Sequence, residues 1–288
     1  MSGRLSRVAL RLATGLTLLF LYVPIFIVIV YAFNDSKNQS WNRLMDTIAS
    51  SGLTSAFSLR WFDAALSNRQ VSESFWLSVQ AALGATLVAL LLGSAAAFAV
   101  NRYRFFGRDG ISFILVLPIA LPGIVTGMAL NSAMHVGIAG FDIGPFHIQG
   151  PDFGILTIIV GHATFCVVVV YNNVVARLRR VGRSLEEASM DLGADTWQTF
   201  RRITLPTLAT ALFAGALLAF ALSFDEIIVT TFTSGNEQTL PIWIFANFKL
   251  PNQRPIVNVV ALAMITLSLI PVYISARLAG AESVASAR

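Results

Sequence analysis

The chain has 288 residues, of which 56% are hydrophobic and only 12% charged, and its mean hydropathy is +0.71. Soluble domains carry roughly a quarter charged residues, so this balance excludes an ordinary soluble protein and points to a membrane. The net charge of +5 comes from arginines in short runs beside apolar segments, a topological pattern that argues against a nucleic-acid partner. The single cysteine, Cys166, excludes an intrachain disulfide, and no Cys/His cluster has metal-ligand spacing, so neither a metal nor another cofactor is expected in the chain.

A hydrocarbon core of about 30 Å takes roughly 20 apolar residues as a helix. The first such stretch, Leu12–Phe33, follows Arg4, Arg7 and Arg11. It is too long for a signal-peptide core and ends in Tyr31-Ala32-Phe33-Asn34, so it reads as a retained span. The loop Asn34–Ser74 carries four basic and four acidic residues, with a segment at Leu59-Arg60-Trp61-Phe62 that suits an interfacial helix. The second span is Phe75–Val100, followed by Arg102, Arg104 and Arg108. The third, Ile111–Val136, holds Asn131 and His135, and Pro118, Pro122 and Gly123 are expected to bend or unwind it. The loop Gly137–Asp152 contains no Lys or Arg. The fourth span, Phe153–Val175, has His162 about midway, read either as a buried group bonding across the bundle or as a pathway residue. The loop 176–206 carries six arginines from Arg177 to Arg202. The fifth span is Thr207–Phe232 and the sixth Ile256–Ala276, after which the last eight residues resemble a frayed tail. With both termini in the cytoplasm, 14 of the 20 basic residues lie inside, as the positive-inside rule requires. Residues 1–288 are therefore expected to form one all-α, six-span membrane domain.

The inner loop 176–206 carries the most information. Ser184 and Glu187 have capping-box spacing, with Leu185, Ala188 and Leu192 on one face. Gly193 is a natural stop. Asp195 and Gln198 form a second capping pair ahead of Trp197 and Phe200, and Pro206 sits just inside the next span. On periodicity alone, such a short Arg-flanked helix equally suits the lipid surface.

The residues themselves resemble the signature of ABC importer permeases: Glu-Ala-Ala, three residues, Gly, nine residues, Ile, one residue, Leu-Pro. Glu187, Ala188, Ser189, Gly193, Ile203, Leu205 and Pro206 match every spacing, with Ser189 in place of the second alanine. The resemblance implies a type I ABC importer permease fold in the bacterial inner membrane, with a cytoplasmic coupling helix. In that family the helix docks on a dimer of ATP-binding cassette subunits, which bind ATP and Mg. The two lysines, Lys37 and Lys249, lie in no Gly-x-x-x-x-Gly-Lys-Ser/Thr loop, so this chain supplies no such phosphate site and is expected to be a transporter subunit, not an enzyme.

Asp225 and Glu226 fall in the fifth span, and an ionisable residue inside a span is functional by default. Asp225 lies 18 residues after Thr207, about 27 Å of helix, and so near the outer surface. Two readings stay open: an interfacial acid, or an acidic mouth for a cation with Phe224 and Phe232 as aromatic neighbours. Phe224-Asp225-Glu226, Thr239 to Trp243, Arg254-Pro255, Asn258 and Phe57 to Phe62 resemble spermidine/putrescine-type permeases. That likeness implies a second related permease, a periplasmic substrate-binding protein, and import of a small cationic compound by alternating access, with Asp225, Glu226, Phe224 and His162 as pathway candidates. The alternative cargo is an opine, amino acid or sugar.

Overall fold

The computed structural model describes residues 2–35, 40–52, 56–138, 141–143, 146–148 and 152–285. Lys37, part of the loop Gly137–Asp152, and Arg288 lie outside the described residues. Among those described, five helical stretches are long and apolar enough to cross a membrane: Ser6–Phe33, Arg69–Arg102, Ile155–Val181, Thr196–Phe224 and Arg254–Leu278. A bent pair, Arg108–Pro118 and Gly123–Val136, makes a sixth when counted as one span. The chain forms two compact units, Met1–Glu73 with Trp243–Thr266, and Ser74–Ile242 with Leu267–Arg288.

The first unit is built on α1 (Ser2–Phe33), α2 (Trp41–Ser51) and α3 (Arg60–Leu66). Almost every side of α1 is exposed and apolar, the pattern of a helix that meets lipid or a protein neighbour. Its last residues are knotted to the start of α3. Asn34 pairs with Phe57 in an antiparallel bridge, and Ser58 Oγ donates to Asp35 Oδ1 at 2.7 Å. Trp61 Nε1 donates to the Asn34 carbonyl at 3.0 Å, and the Arg60 guanidinium lies 4.4 Å above the Trp61 ring. The segment Leu59–Phe62 leads into a helix as expected, but Trp61 is buried with its indole N–H bonded inside, while Leu59 stays exposed. Strong amphipathicity belongs instead to α2, capped by Ser40, with Trp41 and Met45 exposed.

The second unit contains most of α4 (Arg69–Arg102). That helix begins six residues before the expected Phe75, because Asn68 Oδ1 accepts from the Gln70 and Val71 amides. Its buried residues Ser78, Ala82, Ala85, Ala89, Gly93 and Ala97 recur at steps of three or four. Lipid supplies no hydrophobic drive between helices, so small residues that permit close approach hold such bundles together. This stripe meets α7 (Ile155–Val181). A Cβ on Gly93 would stand 2.8 Å from the Val167 carbonyl oxygen, and one on Gly84 would strike the Ile159 side chain. Val170, Val174 and Leu178 of α7 continue the core. In the third span α5 (Arg108–Ala120) passes through Pro118, and the break falls at Leu121–Pro122. Leu121 is extended, as a residue before proline prefers, and the Pro122 carbonyl receives the Val125 amide to open α6 (Gly123–Ile138), which leaves α5 at 102°. A two-stranded antiparallel hairpin, β1 (Phe141–Ile143) with β2 (Phe146–Ile148), follows.

The fifth span departs most from expectation. It is not one helix over Thr207–Phe232. A helical run starts at α9 (Thr196–Thr199), widens to a π-helix over Phe200–Thr204, continues as α10 (Leu205–Phe224) and stops. The π turn has a local cause: Pro206 has no N–H, its ring obstructs the preceding turn, and Leu205 N–H bonds the Phe200 carbonyl, one residue farther back than in an α-helix. Past Phe224 the chain turns into the short α11 (Ile228–Thr233), because the Glu226 carboxylate accepts the Val229 amide at 2.9 Å and so satisfies a new helix start. Next come α12 (Leu240–Asn247) and α13 (Arg254–Ala285). The helix persists to Ala285 where a frayed tail is expected, and 286–288 lie outside the described residues.

Candidate functional site

The conspicuous site in the second unit is the inner loop between α7 and α10. After Gly182, α8 (Ser184–Asp191) forms with none of its residues buried. Its N-cap is Arg183 without a side-chain bond, so the Ser184–Glu187 capping box is not made: Ser184 is already inside the first turn. The C-terminal end behaves as read. Gly193 adopts φ +87, its amide bonds the Met190 carbonyl, and the Ala194 amide bonds the Ser189 carbonyl, a Schellman closure that only a residue at ease with positive φ completes without strain. Asp195 and Gln198 make their reciprocal capping box, and this starts α9.

The result is a short helix with an apolar surface that no described residue covers. Leu185 is 53% exposed, Leu192 90% and Trp197 65%. Glu187 and Ala188 are exposed as well, whereas Ser189 Oγ lies 3.1 Å from the buried Thr199 hydroxyl. The serine that replaces the second alanine of the motif therefore ties α8 to α9. Ile203 lies within the π turn, and Leu205 and Pro206 follow at its end.

Beneath α8 sits an ionic node. Arg102, the last residue of α4, donates from Nη2 to Glu186 Oε1 at 2.7 Å and to the Gly182 carbonyl at 3.2 Å. The same carboxylate oxygen accepts from Thr204 Oγ1 at 3.1 Å, and the Arg183 guanidinium donates to the Arg102 carbonyl. The Arg102 and Glu186 side chains are only 8% and 15% exposed. A half-made pair there would leave a buried charge at a cost of several kcal/mol, so the two are mutually dependent. Arg102 Nε is buried without a hydrogen-bond partner. Beside the node is a cavity of about 510 Å³, lined in part by Phe98, Tyr103, Met190, Trp197 and Phe200. In the sequence Arg102 reads as a topology signal and Glu186 carries no signal of its own, because their partnership spans 84 residues and has no local pattern.

At the other end of α10, the four pathway candidates separate. His162 is buried, with Nδ1 2.7 Å from Ser223 Oγ and Nε2 2.7 Å from Thr230 Oγ1. The Thr230 hydroxyl proton goes to the Glu226 carbonyl. Network logic therefore has Nε2–H donating to Thr230, and Nδ1 accepting from Ser223. His162 thus staples α10 to α11 across their break. Phe224 is buried against Phe75 and Phe220 and presents no face to a cation. Glu226 is engaged at the start of α11, and Asp225 alone of the four is exposed. Asn131 likewise bonds across the bundle, donating to the Phe232 carbonyl at 2.6 Å.

Residues 89–281 match the family described as the binding-protein-dependent transport system inner membrane component. The chain belongs to that family. It is similar to the putrescine transport system permease protein PotI of Escherichia coli (strain K12), 34% identical over 246 residues, which are 84% of this chain and 80% of that protein. It is also similar to the spermidine/putrescine transport system permease protein PotC of Haemophilus influenzae, 31% identical over 258 residues, 89% of this chain and 90% of that one. Its fold matches a bacterial ABC transporter involved in import of the acidic polysaccharide alginate, with a TM-score of 0.62, 17% identity and 97% of both chains covered. This permease is thus a multi-pass inner-membrane transport component with the ABC importer fold, and not an enzyme.

Proposed function

We propose that this permease imports a small cationic substrate, a polyamine such as putrescine or spermidine, by alternating access, and that α8 is the coupling helix. One observation carries the coupling role: α8 presents Leu185, Glu187 and Leu192 outward, unburied, while Glu186 on its other side is fastened to the bundle. A surface of that kind suits a groove on a separate ATPase, which binds ATP and Mg, and the Glu187–Pro206 motif supports the same reading. The working complex comprises two ATPase subunits, a second related permease and a periplasmic binding protein, with both termini of this chain in the cytoplasm. Each ATP-driven closure of the ATPase dimer moves α8, and the spans reopen towards the binding protein. The polyamine cargo is supported by the PotI and PotC similarity and by Asp225, an exposed carboxylate just past the last residue of α10.

The test is reconstitution of the whole complex in proteoliposomes with radiolabelled putrescine. Asp225→Asn should raise the concentration for half-maximal uptake up to about fivefold, since a charge pair at an exposed carboxylate is worth about 0.2–1 kcal/mol. Glu187→Lys should lower the ATPase activity that cargo-loaded binding protein stimulates. Unchanged uptake by the first variant makes Asp225 an interfacial acid and favours a cargo such as an opine, amino acid or sugar. Full stimulation in the second refutes docking through α8.

A further inference from the structure

Three distant segments converge on one carboxylate. Glu186 belongs to α8, Arg102 closes α4, and Thr204 is the last residue of the π turn that opens the fifth span; the contacts are 2.7 and 3.1 Å. The chain on either side of α8 turns at glycines with positive φ, Gly182 at +68 and Gly193 at +87, so α8 joins its neighbours through turns and not through continuous helix. A displacement of α8 therefore reaches the spans through side chains, and the shortest ionic route is Glu186.

We infer that Glu186, and not its exposed neighbour Glu187, is the positioning residue that conveys movement of α8 to the second and fifth spans together. The two acids divide the work. Glu187 faces out, and Glu186 faces the bundle and is clamped there. The node also has room to rearrange. Arg102 grips Glu186 through Nη2 while Nε stays buried and unpaired, so a rotated guanidinium that used both nitrogens would gain a bond. A clamp with two available grips can switch with the loop and need not merely brace it. This inference rests on α8 being the ATPase-docking helix.

The test uses the full complex in proteoliposomes and a readout that does not depend on cargo. Gln238, exposed in the loop after α11, is changed to Cys, while Cys166 is buried and stays unreactive. The rate of Gln238→Cys labelling by a membrane-impermeant maleimide is then compared with and without ATP plus vanadate. Glu186→Gln should shrink the nucleotide-dependent change about 2- to 30-fold, as loss of a coupling contact does, while co-purified ATPase stays within twofold. The exchange Arg102→Glu with Glu186→Arg should recover most of the change. Two results overturn the inference: a Glu186→Gln complex that responds like the parent, or loss of both response and ATPase in every variant with no recovery in the exchange, which marks a brace. Failure of the docking reading is seen separately: a Glu187→Lys complex that keeps full binding-protein-stimulated ATPase activity refutes docking through α8, whatever Glu186→Gln does.

Discussion

At the scale of the residue, burial sorts the polar groups of the spans into those that hold the protein together and those that face outward. His162 is the clearest of the first kind. Both ring nitrogens are satisfied by hydroxyls, one on either side of the break between α10 and α11. Within a membrane bundle such bonds average about 0.6 kcal/mol each, and Thr230→Val removes two, to His162 and to the Glu226 carbonyl, so it should cost about 1–2 kcal/mol. His162→Ala also empties the ring's volume in a close-packed site and should cost about 2–4 kcal/mol. Thermal unfolding of the purified permease in detergent measures both. Putrescine uptake by the surviving His162→Ala protein should show a half-saturation concentration within about twofold of the parent, because nothing of the ring reaches a surface. A severalfold rise would place His162 on the pathway after all.

At the scale of the element, the small-residue stripe of α4 yields a contrast between two glycines on the same helix. A methyl at position 93 would meet the backbone oxygen of Val167 at 2.8 Å, an atom that cannot move without shifting α7. Gly93→Ala should destabilise by about 1–3 kcal/mol. A methyl at position 84 meets side-chain atoms alone, Ile159 Cδ1 at 2.5 Å and Cγ1 at 2.9 Å, which can give way without moving the backbone of α7, and alanine is the better helix former by about 1 kcal/mol. Gly84→Ala should therefore be neutral or mildly stabilising in the same unfolding assay; equal losses at both sites would mean that α4 and α7 do not pack as described. Pro206 offers a second contrast. Pro206→Ala restores an amide to the helix, so the π turn should tighten to α geometry without loss of stability. Thr204 then rotates relative to Glu186, and the coupling between ATP hydrolysis and uptake should weaken by about 0.5–2 kcal/mol, roughly 2- to 30-fold in their ratio. A more stable variant with intact coupling would show that the π turn is only the residue of a proline.

Period, length and arginine placement made the apolar spans, the helix–stop–helix form of 183–206 and the Gly193 closure legible in the sequence, because each depends on residues within a few turns of one another. What escaped has the opposite character. The stop after Phe224 follows from the Glu226 carboxylate satisfying a new helix start, and that competition is decided by where His162 and Thr230 already hold the chain. The Arg102–Glu186 pair joins residues 84 apart, and Trp61 looks interfacial until its acceptor at Asn34 is known. Local pattern reports local bonds; the node under α8 is tertiary and could not be read from it.

At the scale of the whole molecule, orientation tests the proposed docking, since the ATPase proposed to meet α8 lies in the cytoplasm. Charge sets that orientation. The loop that carries α8 holds six arginines, and the loop after α6 holds neither lysine nor arginine. Moving a cluster of arginines across the bilayer is the step that the positive-inside bias selects against. The buried Arg102–Glu186 pair adds a second constraint, because α4 must end on the same side as α8 for the two residues to meet. Single cysteines at Leu192, 90% exposed at the end of α8, and at Gln238, exposed after α11, give a direct measurement. In intact spheroplasts an impermeant maleimide should label Gln238→Cys and spare Leu192→Cys. After permeabilisation both should react, provided the ATPase has been stripped away, and restoring the ATPase should protect Leu192→Cys alone. Labelling of Leu192→Cys from outside would invert the molecule, and α8 would then face the compartment that holds no ATP.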